Sequence, residues 1–138
     1  MVFITRKEHF NSAHRLFRPE FSDEENLRVF GKCSNPLWHG HNYTLMVTVK
    51  GKVNPETGFV INLKILSSIL DEYIIQKLDH RNINLEVDFM LGKLASTENL
   101  AIAIWEELEA VIRETGANLH CVRLDETENN IFEYHGPK

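Results

Sequence analysis

The chain has 138 residues, 43% of them hydrophobic and 25% charged, which is typical of one folded domain with a single core. Its 20 acidic residues outnumber its 15 Lys and Arg, giving a formal net charge of −5, and no basic run is present, which argues against a nucleic-acid partner. No apolar run approaches the ~20 residues of a membrane-spanning helix. We therefore expect residues 1–138 to form one domain that binds neither nucleic acid nor membrane.

The two cysteines, Cys33 and Cys121, are too few for a disulfide framework. The opening segment MVFITRKEHF lacks the apolar stretch and small-residue cleavage site of a secretory signal. Disulfides are rare in reducing compartments. We therefore expect both cysteines to be free thiols and the protein to be cytoplasmic.

The first part of the chain predicts two strands separated by a long loop. Residues 2–14, VFITRKEHFNSAH, mix β-branched and aromatic residues with polar ones, as strands do. In the loop, Ser22 followed by Glu25 is a capping-box pattern and Gly31 is a stop signal, which predicts a short helix. Residues 41–51, HNYTLMVTVKG, alternate strictly and place four large side chains on one face of a strand: Tyr43, Leu45, Val47 and Val49.

The rest of the chain predicts two helices and two closing strands. Apolar residues recur at helical spacing over residues 63–78, after Asn62 as a candidate cap, and again from about Thr97 to Thr115, where Gly116 ends the pattern. Residues 119–126 and 130–135 then predict two strands joined by a turn. The order β, β, α, α, β, β indicates an α+β fold, a four-stranded antiparallel sheet with two helices on one face. Its bare face and free edges predict an oligomer that covers or pairs them.

Three histidines are expected to converge. His39 and His41 share a face of the second strand, since residues i and i+2 point the same way. If the first two strands are antiparallel neighbours, His14 lies at the end of one, beside the start of the other. Three imidazoles without a fourth protein ligand describe an open zinc site. The alternative is that the H-x-H pair makes only core or surface hydrogen bonds.

Cys33 follows Lys32 in the long loop, close to the expected zinc site. This setting favours a thiolate, which can act as a base or a nucleophile. The alternative is a buried, inert cysteine, which is also our interpretation of Cys121.

Asp79 precedes His80 just after the first long helix. Such a pair can orient and charge an imidazole for proton transfer, although adjacent Asp and His are also common as capping groups at a helix end.

Glu126 closes the third strand with the parity of Val122 and Leu124, so its carboxylate should point towards the apolar side. There it could accept two hydrogen bonds from a guanidine-like ring edge, although an exposed turn acid is the alternative. Thr97 and Glu98 open the second long helix. Capping and the helix dipole explain both of them without any further role.

Seven segments together identify a family resemblance. In chain order they are FNSAHRL, SDEENLRVFGKCSNP, HGHNY, VNPETGFVINL, LDHRNIN, STENLA and ETENNI. The combination resembles the 6-pyruvoyl tetrahydropterin synthases nearly end to end. The resemblance implies a tunnelling fold (T-fold), in which three subunits join their sheets into a barrel and two trimers stack into a homohexamer.

The resemblance also implies an activity and its cofactors. The enzyme would be a carbon–oxygen lyase of tetrahydrobiopterin biosynthesis that converts 7,8-dihydroneopterin triphosphate into 6-pyruvoyl-tetrahydropterin and inorganic triphosphate. Each subunit would hold one Zn²⁺, and Mg²⁺ would accompany the triphosphate. The zinc ligands would be His14, His39 and His41.

In the same family pattern, Cys33 matches the catalytic base. Asp79 and His80 match a proton-relay pair that reaches an active site built at the subunit interface. The pterin ring would be held by Glu126 as its anchor, with Thr97 and Glu98 as further candidates. Arg15 and other basic residues of the first loop are candidates for holding the triphosphate.

Two alternatives stay open beside this interpretation. The 6-carboxy-tetrahydropterin synthases of queuosine biosynthesis share the fold, zinc and substrate, but have three residues between the cysteine and the H-x-H, where this chain has five. Leu37 and Trp38, in place of the small polar pair of animal members, could reshape the pocket. A non-catalytic zinc-binding scaffold of the same fold is disfavoured because Cys33, Asp79 and His80 are all present.

Overall fold

The computed structural model describes residues 1–138, and its centre is a five-stranded sheet. The strands follow the spatial order β3-β1-β2-β4-β5, with bounds β1 (Val2–His14), β2 (His39–Gly51), β3 (Arg81–Asn82), β4 (Asn118–Asp125) and β5 (Ile131–Tyr134). The α+β class is therefore confirmed. Of the five strands, β3 was not predicted, because two residues carry no periodicity, and it pairs parallel to β1 beside Ser12 and Ala13.

The helices lie in the connections between strands. They are α1 (Asp23–Phe30), α2 (Leu63–Leu70), α3 (Gln76–Leu78), α4 (Ile83–Glu86) and α5 (Thr97–Arg113). A π-helical turn, Asp71–Ile75, joins α2 to α3, so the predicted helix over 63–78 is present with one widened turn. Short 3₁₀ turns follow α1 at Gly31–Ser34 and α4 at Asp88–Met90. No helix is both long and apolar enough to cross a membrane.

Polar caps fix where the helices begin. The Ser22 hydroxyl accepts the Glu25 N–H at 3.1 Å and starts α1. The Asn62 side chain accepts the Lys64 N–H at 2.9 Å and starts α2. Ser96 caps α5. Each cap satisfies one of the backbone donors that a helix leaves free at its N-terminus, so these three positions set the ends of the connections.

The core lies between one face of the sheet and the helices. The four large β2 side chains that alternate with polar ones are buried, and the apolar stripe of α5 packs over them with Leu100, Ile104, Leu108 and Ile112 fully buried. The opposite face of β2, with Thr44, Met46 and Thr48, is only partly covered. One face of the sheet is thus without helices, as the pattern predicted.

One end of the sheet gathers the chemistry. There β1 ends opposite the start of β2, and β4 ends beside Thr44 of β2. The N-terminus of α5 meets the same end of the sheet. Its first residue, Thr97, donates a hydrogen bond to Glu126, the residue that follows β4. The fold therefore brings residues from four distant segments of the chain to one rim.

We expect Leu108→Ala to lower the free energy of unfolding by about 2–5 kcal/mol, because it empties a fully buried site between α5 and the sheet. Urea unfolding at a fixed protein concentration measures the change. Glu106→Ala, an exposed position two residues earlier that pairs with Lys93 at 3.6 Å, is the control and should change stability by less than about 1 kcal/mol. Equal losses for the two variants would contradict this packing.

Candidate metal centre

Three histidine side chains form a triangle on the helix-covered face of the sheet. His14 pairs directly with His39 in the β1–β2 ladder, and His41 follows two residues later on the same face. The ring centroids are 4.5 Å apart for His14 and His39 and 5.1 Å apart for the other two pairs. One ring nitrogen from each lies within 4.8 Å of the others. The structure thus brings together the three predicted histidines.

The hydrogen bonds of His14 leave one nitrogen free to ligate. Its Nδ1 lies 2.8 Å from the Ala95 carbonyl oxygen, which can only accept, so Nδ1 carries the hydrogen. Nε2 of His14 and both ring nitrogens of His39 are buried without any hydrogen-bond partner. Buried polar atoms without partners are costly, and a carbonyl behind an imidazole is the usual support of a metal ligand. The three side chains therefore fit a divalent metal ion such as zinc.

The protonation of these rings agrees with that fit. Burial lowers the pKa of His14, and the neighbouring imidazoles lower it further. Burial also lowers the pKa of His39, again reinforced by His41. Only the neutral imidazole has a lone pair to give to a metal, so the surroundings favour the form that ligates.

Neighbouring contacts hold the ends of both strands in place. The Asn84 side chain accepts the Arg15 N–H and donates to the Arg15 carbonyl, both at 3.0 Å. The buried Ser12 hydroxyl, two residues before His14 and opposite His41, donates to the Leu78 carbonyl at 2.5 Å. Trp38, directly before His39, has a φ of 70°, a left-handed conformation that bulky residues rarely adopt. Strain of this kind often marks a functional site.

A cavity of about 870 Å³ opens beside the triangle and is lined mostly by polar residues. His39 and His41 form part of its wall, together with Cys33 from the 3₁₀ turn after α1 and Glu126 from the end of β4. Arg15 and Lys32 bring positive charge to the same wall. The volume suits a small molecule, and these two cations suit an anionic group on it, although Asp23 and Glu126 on the same wall balance their charge. The predicted cysteine and glutamate therefore face the same space as the histidines.

Glu126 is half-buried, as its strand parity indicated, and is held from two sides. The Thr97 hydroxyl donates to its Oε2, and its backbone N–H donates to the Asn130 carbonyl at 3.0 Å. Thr97 is 2% exposed and does not line the cavity, so it positions Glu126. Glu98 is exposed in the first turn of α5 and lies outside the cavity wall.

Asp79 and His80 form a pair at the free edge of the sheet. The Asn11 N–H donates to Asp79 Oδ1 at 2.8 Å, and His80 Nδ1 lies 3.0 Å from Asp79 Oδ2. His80 has a φ of 60° and its side chain is 83% exposed. Neither residue lines the cavity that holds Cys33. A single chain therefore forms the pair but does not bring it into that cavity.

Three supporting groups were not predicted as part of the site. Tyr43, which strand parity assigned only to the core, packs edge-to-face against His41 with its hydroxyl buried. Burial, followed by the Glu126 charge, raises the pKa of Tyr43. Asn26 is buried and binds both backbone groups of Arg18, which fixes the loop over the cavity. A polar residue on the inner face of α1 could have signalled that role. The Ala95 carbonyl carried no signal, because any residue has one.

The bulky pair before His39 does not enter the cavity. Leu37 is 85% exposed, and Trp38 lines a separate depression with Phe17 and Lys93. In a single chain neither of these two side chains forms part of the wall of the candidate site.

Comparisons with known proteins agree on one family. The family model described as 6-pyruvoyl tetrahydropterin synthase matches residues 3–137. A relative from Pongo abelii, a 6-pyruvoyl tetrahydrobiopterin synthase, is 46% identical, and the match covers 96% of this chain and 90% of the relative. The structure of Caenorhabditis elegans 6-pyruvoyl tetrahydropterin synthase superposes with a TM-score of 0.91 at 38% identity, covering 99% of this chain and 96% of that one. A putative 6-carboxy-5,6,7,8-tetrahydropterin synthase from Archaeoglobus fulgidus is 31% identical over 82% of this chain and 87% of its own length.

The Asn11 N–H, and to a lesser degree His80, lowers the pKa of Asp79. A carboxylate whose pKa falls on folding stabilises the protein above its unfolded pKa of about 3.9, and the contribution is lost as pH falls through the folded pKa. We expect Asp79→Ala to be less stable than the natural chain at about pH 7 by up to about 1 kcal/mol, since the carboxylate is partly exposed. Urea unfolding across pH should show the gap closing below about pH 4. Glu128→Ala, in the exposed turn, is the control, and a gap for Asp79→Ala that does not change with pH would contradict the assignment.

Proposed function

Because this chain belongs to the 6-pyruvoyl tetrahydropterin synthase family, we propose that it converts 7,8-dihydroneopterin triphosphate into 6-pyruvoyl-tetrahydropterin and inorganic triphosphate. The observation that carries the proposal is the cavity in which Cys33 and Glu126 face His39 and His41. That arrangement offers a base, a ring anchor and a metal centre to one small molecule. The family match supports this choice of substrate.

The metal of this site would be one Zn²⁺ per chain, held by the three histidines of the triangle. When bound, zinc supplies a Lewis acid that polarises oxygen atoms of a substrate side chain and acidifies the neighbouring C–H bonds. The Ala95 carbonyl fixes the His14 ring in its ligating tautomer. Three protein ligands leave a coordination position for substrate, as in other catalytic zinc sites.

Glu126 would bind the pterin ring. Its carboxylate can accept two parallel hydrogen bonds from the guanidine-like edge of a pterin, and the Thr97 hydroxyl holds one oxygen in place. Arg15 and Lys32 lie on the cavity wall and would attract the triphosphate. Mg²⁺ would accompany that group, since Mg²⁺ commonly binds through phosphate oxygens.

The reaction needs proton transfers on the three-carbon side chain of the substrate. The Cys33 thiolate would remove a proton from that side chain, and His80, oriented by Asp79, would transfer a second proton. Triphosphate then leaves as an anion. Oxidation of the side-chain carbinol next to the ring to a ketone would supply the two electrons that reduce the pyrazine ring. The second ketone would form by tautomerisation of the enol left when triphosphate is eliminated, so no external reductant is required.

The Asp79–His80 pair would enter the cavity of a neighbouring subunit. It lies on the β3 side of the sheet, where most of β1 has a free edge, whereas β5 forms the other edge. Pairing one edge with the opposite edge of the next subunit is a head-to-tail contact, which forms a closed ring when the rotation between subunits divides a full turn. We propose that three chains close into a barrel and that two barrels stack into a homohexamer.

A 6-carboxy-tetrahydropterin synthase activity is the second candidate, because it uses the same substrate and an archaeal relative carries that name. The five-residue spacing between Cys33 and His39 and the higher identity to the pyruvoyl relatives favour the first candidate. A zinc-binding scaffold is the third, and it should be indifferent to Cys33.

We expect zinc-loaded protein to release 6-pyruvoyl-tetrahydropterin from 7,8-dihydroneopterin triphosphate, detected by mass spectrometry of the pterin product. Cys33→Ala should lower kcat by about 10²–10⁴ while keeping the metal and the oligomer. Cys121→Ser is the control and should retain turnover. His39→Ala should lose the metal of this site. A 6-carboxy product with acetaldehyde would identify the second candidate, and the absence of turnover with metal bound would identify the scaffold.

Mixing two inactive variants tests whether the active site is shared between chains. If Cys33 of one chain works with His80 of another, oligomers assembled from equal amounts of Cys33→Ala and His80→Ala should regain about a quarter of the natural activity, since half of the positions on each side of an interface are intact. A mixture of Asp79→Ala and His80→Ala should regain no activity, because both variants lack an intact Asp79–His80 pair and so damage the same side of every interface. Inactive mixtures whose mixed composition is verified would show that both groups act from one chain.

A further inference from the structure

The face of the sheet without helices carries a second cluster of metal-ligating side chains. Cys121 lies on β4, Glu133 lies on β5, and His135 follows directly after β5. Their thiol sulfur, carboxylate oxygen and ring nitrogen all lie within 4.8 Å of one another. Cys121 pairs with Thr48, roughly 20 Å further along β2 than the histidine triangle and on the other face of the sheet. The two clusters are therefore separate.

The β4–β5 ladder builds this cluster. Val122 pairs with Tyr134 and Arg123 with Glu133, so Cys121 continues the same register beside His135. Alternation along both strands places these side chains on one face. Cys121 is 7% exposed and lies at the base, whereas the other two are exposed above it. The result is a sulfur donor at the bottom of a shallow site whose mouth carries a carboxylate and an imidazole.

The groups around the cluster leave its ligands available. Glu133 Oε1 lies 3.2 Å from His135 Nε2, and Arg123, opposite Glu133, is held instead by Asp125 at 2.9 Å. The Glu133 and His135 side chains project from the face of the sheet, so pairing of the β5 edge with another strand would leave them accessible.

An irregularity in the β2–β4 ladder adds a wall beside the site. The register shifts between Thr48 and Val49 of β2, which leaves His120 opposite no residue of β2. The His120 ring lies 6.0 Å from that of His135 and 4.7 Å from that of Phe3. Such bulges commonly re-aim side chains next to functional sites. Here the bulge places the His120 ring between His135 and Phe3.

We propose that Cys121, Glu133 and His135 form a second site for a divalent ion of the zinc type, independent of the catalytic centre. Sulfur, nitrogen and oxygen donors in one set select zinc, cobalt or similar ions over Mg²⁺ and Ca²⁺, which prefer oxygen alone. On binding, the Cys121 thiol releases its proton to solvent and ligates as a thiolate. Three protein ligands leave one position for water.

Titration of metal-free protein with Co²⁺ tests the proposal. A thiolate ligand gives a sulfur-to-cobalt charge-transfer absorption in the near ultraviolet, which a site of three imidazoles cannot give. We expect about two Co²⁺ per chain, with this absorption, in the natural protein. The absorption should persist in Cys33→Ala and in His39→Ala, which excludes the first site as its origin.

Two variants should remove the second ion. Cys121→Ser should abolish the absorption, and His135→Ala, at an exposed position that tolerates truncation, should weaken the affinity of that ion at least about tenfold. His9→Ala is the matched control, an exposed histidine on the same face of the sheet, and should change neither ion. Absence of the absorption in Cys33→Ala, or an unchanged second ion in His135→Ala, would overturn the proposal. Neither result affects the product assay of the catalytic site.

Discussion

The pairing of β1 with β2 in one register is the constraint on which the rest of the structure depends. In that register His14 faces His39, and the same parity turns Tyr43, Leu45 and Val47 into the core. A slip of one residue would move the histidines and the core side chains together to the bare face. Each large side chain stabilises the fold by about 1.5–3 kcal/mol when buried. The hydrophobic core of β2 thereby fixes the geometry of the metal centre.

The metal centre in turn places an unfavourable feature inside that core. His14 is 1% exposed, and its Nε2 and the ring nitrogens of His39 lack hydrogen-bond partners. An apolar residue at position 14 would avoid this cost, so a histidine here supports the proposed role as a metal ligand. The supports of the site come from elements that the core already positions. The Ala95 carbonyl precedes α5, and Thr97 in its first turn holds Glu126.

In the proposed oligomer, catalysis and assembly meet at the edges of the sheet. Most of β1 has unpaired backbone groups on its β3 side, and such edges invite another strand. Asp79 is anchored to that edge through Asn11, which points His80 outward. Edge pairing would therefore satisfy the backbone of β1 and deliver a proton-transfer pair to the next subunit in one contact. The bare face stays free for the second cluster of ligands.

The sequence by itself determined what repeats or sits within one element. Alternation along β2 fixed its buried face and placed His39 and His41 together, and the polar and glycine signals around α1 and α5 set where those helices lie. The seven family segments identified Cys33 and Glu126, and the fold brings both to one cavity. The predictions within β2, α1 and α5 are confirmed, because side-chain direction within a strand or helix follows from local geometry alone.

Only the tertiary structure decided what depends on contacts between elements. The strand β3, the Ala95 carbonyl behind His14 and the outward direction of Trp38 have no local pattern in the sequence. The sequence gives Cys121 no metal-ligating neighbours, because Glu133 and His135 lie on or next to another strand and meet it only in one particular register. Pairing register and packing are collective properties of the folded chain, so spacing within a segment cannot specify them.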